Sequence, residues 1–442
     1  MGRKVVYASK GSKKLLNAWA SYDWANSVYP LVISTAVFPI YYGAICADQL
    51  YLDIFGQSIK NTALISFVTA LAFVVIASLS PILSGIADYV GNKKRFMQFY
   101  CYLGSLSCMG LYWFELESLQ IGLTFYFFAL IGFWSSLVFY NSYLPDIAHP
   151  EQQDRISAKG YALGYFGSVI LLVFNLVMVL KPEIFGITGT PAEASLKAMR
   201  YSFITVGIWW MTFSQYAFYH LPMGNSGHKV TRSVVMNGYK ELKTVYRSLA
   251  STLRLKRYLG AFFVYSMALQ TVILVATYFG EQEINWGEGQ KTIGLIVSII
   301  LIQLVGIAGA LLTAKISKKI GNITTLIALN FIWSGLCVYA FFIETPTQFY
   351  IAAGVLGLIF GGIQALSRST YSKLIPTTED TTSYFSFYDI SEKVAIVFGM
   401  FLFGFVDQFT GSMRNSILFF MVFFFVGALL LNRMLRIDKR NA

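Results

Sequence analysis

Long apolar stretches dominate this sequence and recur twelve times along it. Each is about as long as a helix that crosses the roughly 30 Å hydrocarbon core of a bilayer, which takes about 20 residues. None alternates apolar and polar residues, and each far exceeds the roughly ten residues of a strand in a membrane β-barrel. We therefore predict an all-α membrane protein with twelve transmembrane helices, near residues 19–43, 62–84, 96–114, 119–143, 157–180, 200–221, 258–280, 292–314, 323–343, 347–371, 385–407 and 413–433.

The composition excludes a water-soluble protein. Of the 442 residues, 56% are hydrophobic and only 13% are charged, whereas soluble domains carry about 25% charged residues. A chain that exposed so much apolar surface to water would associate. The four cysteines, Cys46, Cys101, Cys108 and Cys337, have no metal or disulfide spacing, so we expect no metal site and no cofactor.

Lys and Arg residues concentrate on one side of the predicted membrane. If both termini are cytosolic, 28 of the 34 Lys and Arg residues fall in cytosolic segments, as the positive-inside rule requires. The net charge of +12 therefore indicates orientation and contact with membrane lipids, and we expect no nucleic-acid partner.

The chain is expected to divide into two six-helix bundles. We assign residues 1–221 to the first bundle, 222–257 to a cytosolic amphipathic linker and 258–442 to the second bundle. Weak internal repetition supports this division, since SGIADYVGN (84–92) resembles AKISKKIGN (314–322) at an offset close to that of LPDIA (144–148) and IPTTE (375–379). Parallel repeats of this kind are one route to a transporter.

The first span carries a polar stripe. At 100° per residue, Asp23, Asn26 and Ser27 share one face with Pro30 and Ser34. An ionisable residue inside a span costs about 2.5–3.5 kcal/mol on insertion scales and therefore indicates function. We predict that this stripe contacts solute or ion; the alternative is an interfacial carboxylate with a structural partner.

The second half carries the complementary charges. Asp389, Glu392 and Lys393 lie in the eleventh span, where the i, i+4 spacing of Asp389 and Lys393 predicts an ion pair. The group is either a self-neutralising pair or a cluster that lines a cavity. In the tenth span Gln364 and Arg368 share a face, although Arg368 has the alternative of snorkelling to the cytosolic interface.

Three amides complete the candidate binding residues. Gln270 and Gln303 lie near the middle of the seventh and eighth spans, and Asn141 lies in the fourth. Amides at such depth either join helices by hydrogen bonds or line a cavity.

This inventory suggests a zwitterionic solute. Asp23 offers an anion from the first half, and Arg368 or Lys393 offers a cation from the second. An amino acid would place its ammonium on Asp23 and its carboxylate on one of the cations. A proton or a sodium ion is the expected coupling ion; if it is the proton, a carboxylate among Asp23, Asp389 and Glu392 has to titrate.

A glycine-rich basic loop joins the second and third spans. It contains Gly85, Asp88, Gly91, Lys93 and Arg95. It resembles the loop signature of the major facilitator superfamily, G-x3-D-x2-G-x-[RK]-x-x-[RK], with one residue fewer between the first glycine and the acid. The resemblance implies that these five residues latch the cytosolic ends of the two halves near the eleventh helix; a plain basic loop is the alternative.

Longer segments resemble one branch of that superfamily, which groups fungal vacuolar amino-acid effluxers with bacterial members of undefined substrate. The resemblance extends over about residues 17–432 and implies a twelve-helix major facilitator fold that moves a solute, with amino acids as the expected class. Short loops favour a bacterial inner-membrane member. The segments that carry it are SYDWANSVYPLVISTAVFPIYY, FYNSYLPDIA, GGIQALSRSTYSKLIP and FYDISEKVAIVFGMFLFGFVDQFTGSMRNSIL.

We therefore predict a monomeric secondary transporter that moves a small polar solute by alternating access, with export favoured. The alternatives are proton- or sodium-coupled uptake of a sugar or another solute, and a receptor or lipid-moving protein on the same fold. An enzyme is not expected, because the spans contain no catalytic constellation and the chain contains no Walker A pattern.

Overall fold

Helices make up almost all of the chain that the computed structural model describes, which comprises residues 9–47, 49, 51–54, 56–224, 240, 243–248, 252–287 and 290–441. Between the first two helices, Tyr29–Val37 forms a π-helical segment, and single 3₁₀ turns occur at Leu111–Trp113 and Pro182–Phe185. The helices are α1 (Lys13–Asn26), α2 (Phe38–Ile45), α3 (Asn61–Val90), α4 (Lys93–Gly110), α5 (Leu119–Ile147), α6 (Pro150–Leu180), α7 (Pro191–His220), α8 (Leu253–Glu283), α9 (Lys291–Ile320), α10 (Asn322–Phe342), α11 (Pro346–Leu374), α12 (Thr381–Thr410) and α13 (Met413–Asn441).

The predicted spans coincide with these helices, which confirms the all-α membrane fold. Among the described residues, nine helical stretches are long and apolar enough to cross a bilayer. The predicted spans 96–114, 200–221 and 385–407 overlap α4, α7 and α12, which are outside that set. The count of twelve and the cytosolic termini stay predictions. The nine stretches are Lys13–Ile45, Leu64–Val90, Leu119–Ile147, Pro150–Leu180, Leu253–Glu283, Ile293–Ile320, Asn322–Phe342, Pro346–Leu374 and Met413–Arg436.

Large apolar side chains are exposed along single helix faces. On α3, Phe67, Leu71 and Val74 are each more than half exposed, and their i, i+4, i+7 spacing places them on one face. A soluble protein does not expose such a stripe, whereas a bilayer solvates it. These apolar faces are incompatible with a water-soluble protein, and in a membrane protein they contact lipid.

Two helices begin with a reciprocal cap followed by proline. At the start of α7, Thr190 accepts a hydrogen bond from the Glu193 backbone N–H, and the Glu193 carboxylate accepts one from the Thr190 N–H. Thr345 and Gln348 make the same arrangement at the start of α11. These caps satisfy backbone donors that the helix itself leaves unpaired.

A short hairpin that the sequence did not predict follows the first span. Strand β1 (Tyr51–Ile54) pairs antiparallel with β2 (Gln57–Lys60), with Tyr51 opposite Lys60. Gly56, at a φ of 77°, forms part of the turn, and a positive φ strains any residue with a Cβ.

The chain forms two compact units. Unit 1 comprises residues 1–143 and 163–239, and unit 2 comprises 144–162 and 240–442, so one boundary falls within α5, one within α6 and one before residue 240. This grouping places 144–162 differently from the sequence-based boundaries, and the division into two six-helix bundles stays a prediction. Of the predicted linker 222–257, residues 243–248 are helical and 253–257 are the first residues of α8. Residues 225–239, 241–242 and 249–251 lie outside the described residues.

Each unit has its own core. In unit 1, α7 packs against α1 and α4, around the fully buried side chains of Trp19, Tyr22 and Trp210. In unit 2, α8 packs against α12 and α13, and α9 packs against α11. Trp333 and Phe424 stack in the core of unit 2 with ring centroids 5.1 Å apart.

Candidate functional site

Asp23 lies on α1 inside unit 1 and is 4% exposed. The Tyr140 hydroxyl of α5 donates to Asp23 Oδ2 at 2.8 Å. Tyr140 is itself held by Trp19, whose indole N–H donates to the Tyr140 carbonyl at 2.8 Å and whose ring stacks on it. A buried carboxylate requires such donors, so two aromatic residues orient Asp23.

The rest of the predicted stripe lies at the end of α1, where the α-helix gives way to the π-helical segment. Asn26 is buried, and its Oδ1 accepts a hydrogen bond from Ser27 Oγ at 3.4 Å. Asn26 Nδ2 is buried and has no hydrogen-bond partner among the described residues. Pro30 lacks an N–H and is the second residue of the π-helical segment, and its carbonyl accepts from Thr35 Oγ1 at 2.8 Å. Segments of this kind are frequent at functional sites.

The predicted charged group of the eleventh span is a cluster on α12 and α8 in unit 2. Lys393 Nζ donates to Asp389 Oδ1, and it lies 3.6 Å from Glu392 Oε2. From α8, Gln270 Nε2 donates to Glu392 Oε1 at 2.7 Å. The Lys393 side chain is 2% exposed and that of Asp389 is 8% exposed. The i, i+4 pair thus forms as the spacing predicts, and Glu392 and Gln270 extend it into a cluster.

Arg368 does not snorkel but is buried within unit 2, at 2% exposed. Its Nε donates to Ser157 Oγ at 2.9 Å and its Nη2 donates to the Ser157 carbonyl at 3.0 Å. The guanidinium also lies 4.2 Å from the ring centroid of Tyr161. Residues 144–162 of unit 2 therefore supply the partners that keep this cation inside.

The three remaining amides are half-buried. Gln303 on α9 has a buried Oε1 without a hydrogen-bond partner in the described chain. Gln364 on α11 and Asn141 on α5 both make polar or electrostatic interactions. Asn141 directly follows Tyr140, the partner of Asp23.

A second polar cluster of unit 2 was not predicted from the sequence. Lys373 Nζ of α11 donates to Asp154 Oδ2 of α6 at 2.6 Å, and Asn322 Nδ2 of α10 donates to Asp154 Oδ1 at 2.8 Å. Asn322 Nδ2 also donates to Thr370 Oγ1 at 3.0 Å. The only sequence signal was charge at predicted cytosolic helix ends, which does not pair residues that are far apart along the chain.

The basic loop after α3 ties helix ends together inside unit 1. Gly91, at a φ of 66°, ends α3: its N–H donates to the Asp88 carbonyl and the next N–H donates to the Ala87 carbonyl, which is a Schellman cap. Lys93 Nζ donates to the Ser142 carbonyl at 3.0 Å, near the end of α5. Buried Lys94 donates to the Leu221 carbonyl after α7 at 2.9 Å, and its burial lowers its pKa.

The other members of the predicted latch lie close to this cap. Gly85 is buried within α3, Asp88 is half-buried in the last turn of α3 and makes further interactions, and Arg95 is exposed. Their role as a latch that involves the eleventh helix stays a prediction.

Comparison with known proteins identifies the family. Residues 11–442 match the family described as vacuole effluxer Atg22 like. The chain belongs to this family. The uncharacterized MFS-type transporter YxiO of Bacillus subtilis (strain 168) is 31% identical over 94% of this chain and 93% of its own length. Autophagy-related protein 22-2 of Aspergillus oryzae is 23% identical over 87% of this chain and 75% of its own length.

Solved structures show the fold of this Atg22-like chain. The major facilitator superfamily transporter FucP, in the outward conformation, matches with a TM-score of 0.69 at 14% identity, over 96% of this chain and 99% of its own. A bacterial homologue of the iron transporter ferroportin matches with a TM-score of 0.65 at 12% identity, over 95% and 98%. The fold and the family resemblance predicted from the sequence are thereby confirmed. This Atg22-like protein is a multi-pass membrane transporter of the major facilitator superfamily and not an enzyme.

Proposed function

We propose that this transporter moves a small polar solute, an amino acid or a similar metabolite, across the bacterial inner (plasma) membrane by alternating access, with export as the favoured direction. The family description, vacuole effluxer Atg22 like, supports export, and the Bacillus relative supports a bacterial plasma membrane. The single observation that carries the solute class is the buried carboxylate of Asp23 with its phenolic donor Tyr140.

The chemistry of Asp23 suits the ammonium group of an amino acid. Ionised groups inside spans are rare and mark solute or ion pathways. The Tyr140 hydroxyl donates to Oδ2, Asp23 has further interactions as well, and a carboxylate offers about four lone-pair sites in all. An ammonium donates three hydrogen bonds, and the neighbouring Asn26 and Ser27 supply polar atoms on the same helix face. A neutral sugar has no charge to match Asp23.

Counterflow in proteoliposomes tests this function. Vesicles that contain the purified protein are loaded with one unlabelled amino acid, sugar or nucleoside at a time, and uptake of the same labelled compound is measured. We expect exchange of at least one amino acid, and loss of that exchange in Asp23→Asn. Asp53→Asn is the matched control, because it makes the same chemical change at an exposed position of the β1–β2 hairpin.

Three results would contradict the proposal. Exchange of sugars alone would favour the alternative solute class. Solute-dependent thermal stabilisation without exchange would favour a receptor. Normal amino-acid exchange in Asp23→Asn would show that Asp23 is not part of the site.

The same assay in Arg368→Gln and Lys393→Gln tests which predicted cation binds the solute's carboxylate.

A further inference from the structure

We propose that Asp389 binds and releases the proton that couples transport to a pH gradient, with Glu392, Lys393 and Gln270 as its positioning residues. This inference rests on the proposed function, because the coupled flux is that of the solute. It selects the proton from the two coupling ions that the sequence left open.

The cluster holds two carboxylates and one ammonium. Within the described part of the chain, Lys393 is the hydrogen-bond and ion-pair partner of Asp389, while Glu392 contacts Lys393 and Gln270. Lys393 has further interactions as well, so its charge does not serve Asp389 alone. With both acids ionised the three charges sum to one negative charge, which is costly to keep inside a span. Uptake of one proton makes the sum zero.

One oxygen of the buried acid is unused. Asp389 Oδ1 accepts from Lys393, but Asp389 Oδ2 is buried and has no hydrogen-bond partner in the described chain. A buried acceptor without a donor is unfavourable and needs an explanation. A proton on Oδ2 provides one, because it removes the negative charge from a carboxylate whose second oxygen no donor stabilises within the described chain. Both oxygens of Glu392, by contrast, lie near a donor.

The position of Lys393 favours a proton over a sodium ion. The ammonium contacts Asp389 and lies 3.6 Å from Glu392, so a metal ion bridging the two acids would lie beside a like charge. A sodium ion also needs several oxygen ligands, whereas Gln270 presents its amide nitrogen to Glu392. A proton needs a single oxygen and no coordination shell.

Two tyrosines lie near the cluster, and two arginines of α13 are exposed. Tyr388 on α12 and Tyr265 on α8 are close enough to Glu392 for electrostatic interaction. From α13, which also packs on α12, Arg433 and Arg436 are exposed, and the charged groups that act on Asp389 are Lys393 and Glu392. The charge of the cluster therefore depends on Asp389, Glu392 and Lys393.

The step is a simple proton transfer. A proton from water on one side of the membrane forms an O–H bond at Asp389 Oδ2, and Lys393 then pairs with Glu392, the remaining anion. Release to water on the other side breaks that bond and restores the Asp389–Lys393 pair. Each cycle moves one proton and changes the charge of the cluster between minus one and zero.

Proteoliposomes with a pH-sensitive dye inside test the coupling. In the wild-type protein we expect an imposed gradient of one pH unit to drive up to about tenfold solute accumulation for one proton per solute, together with a dye signal. An equal sodium gradient should drive none. In Asp389→Asn we expect counterflow to persist while gradient-driven accumulation and the dye signal are lost. Asp389→Glu should retain coupling with a shifted pH profile.

Matched variants assign the effect to one carboxylate. Asp407→Asn makes the same change near the other end of α12 and should leave coupling intact, whereas Glu392→Gln should retain coupling with a shifted pH profile, because it removes the anion that balances Lys393. Coupling that survives in Asp389→Asn, that is lost only in Glu392→Gln, or that follows sodium overturns the proposal.

A spectroscopic measurement separates this proposal from the proposed function. We expect an infrared difference spectrum between two pH values to show a carboxylic-acid carbonyl band that disappears in Asp389→Asn. If no amino acid exchanges but the band is present and lost in that variant, the proposed function fails and the proton site stands. If exchange occurs but the band persists in the variant, the proton site fails.

Discussion

Arg368 donates to both the side chain and the main chain of Ser157, from Nε to Oγ at 2.9 Å and from Nη2 to the carbonyl oxygen at 3.0 Å. Ser157 Oγ in turn donates to the Ala365 carbonyl at 2.8 Å, one turn before Arg368 on α11. The serine therefore joins α6 to α11 within unit 2 and gives a buried guanidinium defined partners. Arg368 can remain buried because Ser157 accepts hydrogen bonds from its guanidinium.

Ser157→Ala should destabilise unit 2 by about 1–3 kcal/mol, because it leaves Arg368 Nε without its acceptor and removes the bond to Ala365. Thermal unfolding in detergent measures the change. Ser369→Ala is the control, since buried Ser369 donates to the Leu366 carbonyl of its own helix, its one hydrogen bond within the described part of the chain, and should lose less. Equal losses in the two variants would contradict the importance of the Arg368–Ser157 pair.

Asp154 and Lys373 should show a measurable coupling energy. Their side chains are 11% and 25% exposed, and partly buried groups in one hydrogen-bonded network couple by about 0.5–3 kcal/mol. A double-mutant cycle with Asp154→Asn and Lys373→Met tests this by thermal unfolding. The matched control is the cycle for Glu281 and Lys291, whose side chains are nearly half exposed at 3.4 Å and should couple by about 0.2–1 kcal/mol.

Tyr140→Phe should weaken solute binding by about tenfold or more. It removes the donor to Asp23, and a hydrogen bond to a charged group is worth about 1.5–3 kcal/mol, while the ring that stacks on Trp19 is retained. Solute affinity by isothermal calorimetry or by counterflow measures the change. Tyr143→Phe, which removes a donor to the Pro222 carbonyl, should leave affinity unchanged. Wild-type affinity in Tyr140→Phe would show that Tyr140 does not contribute to the solute site.

Gly91→Ala should destabilise unit 1 by about 1–2 kcal/mol, because the left-handed backbone at Gly91 brings a Cβ too close to the neighbouring carbonyl oxygen. Gly91→Asn should cost less, since asparagine tolerates this conformation. Thermal unfolding of the two variants provides the test. Identical losses would indicate that the space around Gly91, and not its φ, is the constraint.

The Thr190–Glu193 cap should make the start of α7 sensitive to acid. Hydrogen bonds from the Thr190 backbone, and then from its side chain, lower the pKa of Glu193 below its ordinary value. A lowered pKa in the folded state adds stability above the unfolded pKa, and this is lost as the pH falls through the folded value. The difference in thermal stability between wild type and Glu193→Gln should therefore be larger at pH 7 than at pH 3.5. A difference that does not change with pH would contradict this role.

Several features could be predicted because their determinants lie close together in the sequence. The Asp389–Lys393 pair follows from i, i+4 spacing on one helix, and the burial of Asp23 follows from its place in a long apolar stretch. The burial of Arg368 could not be predicted in the same way, because its side chain is long enough either to reach the membrane interface or to turn into the protein. Its partners Ser157 and Tyr161 decide the matter, and they lie on another helix.

The same limit explains what the sequence analysis missed. Asp154 and Lys373 are 219 positions apart, and Asp23 and Tyr140 are 117 apart. Charge and hydropathy patterns contain no information about which distant helices pack together. The β1–β2 hairpin was missed for a different reason, because its strands of four residues are too short for a clear alternation.

By itself, the sequence determined that this protein is helical, lies in a membrane and belongs to the major facilitator superfamily, because apolar length, helical periodicity and loop motifs are local properties of the chain. Tertiary structure alone decided which partners these charges inside the protein have: Tyr140 for buried Asp23, Ser157 for buried Arg368, and Gln270 for half-buried Glu392. The physical reason is that a charge in a low-dielectric interior is stabilised by whatever donor or counter-charge lies within a few ångströms, and only the packing of helices brings distant residues within that range.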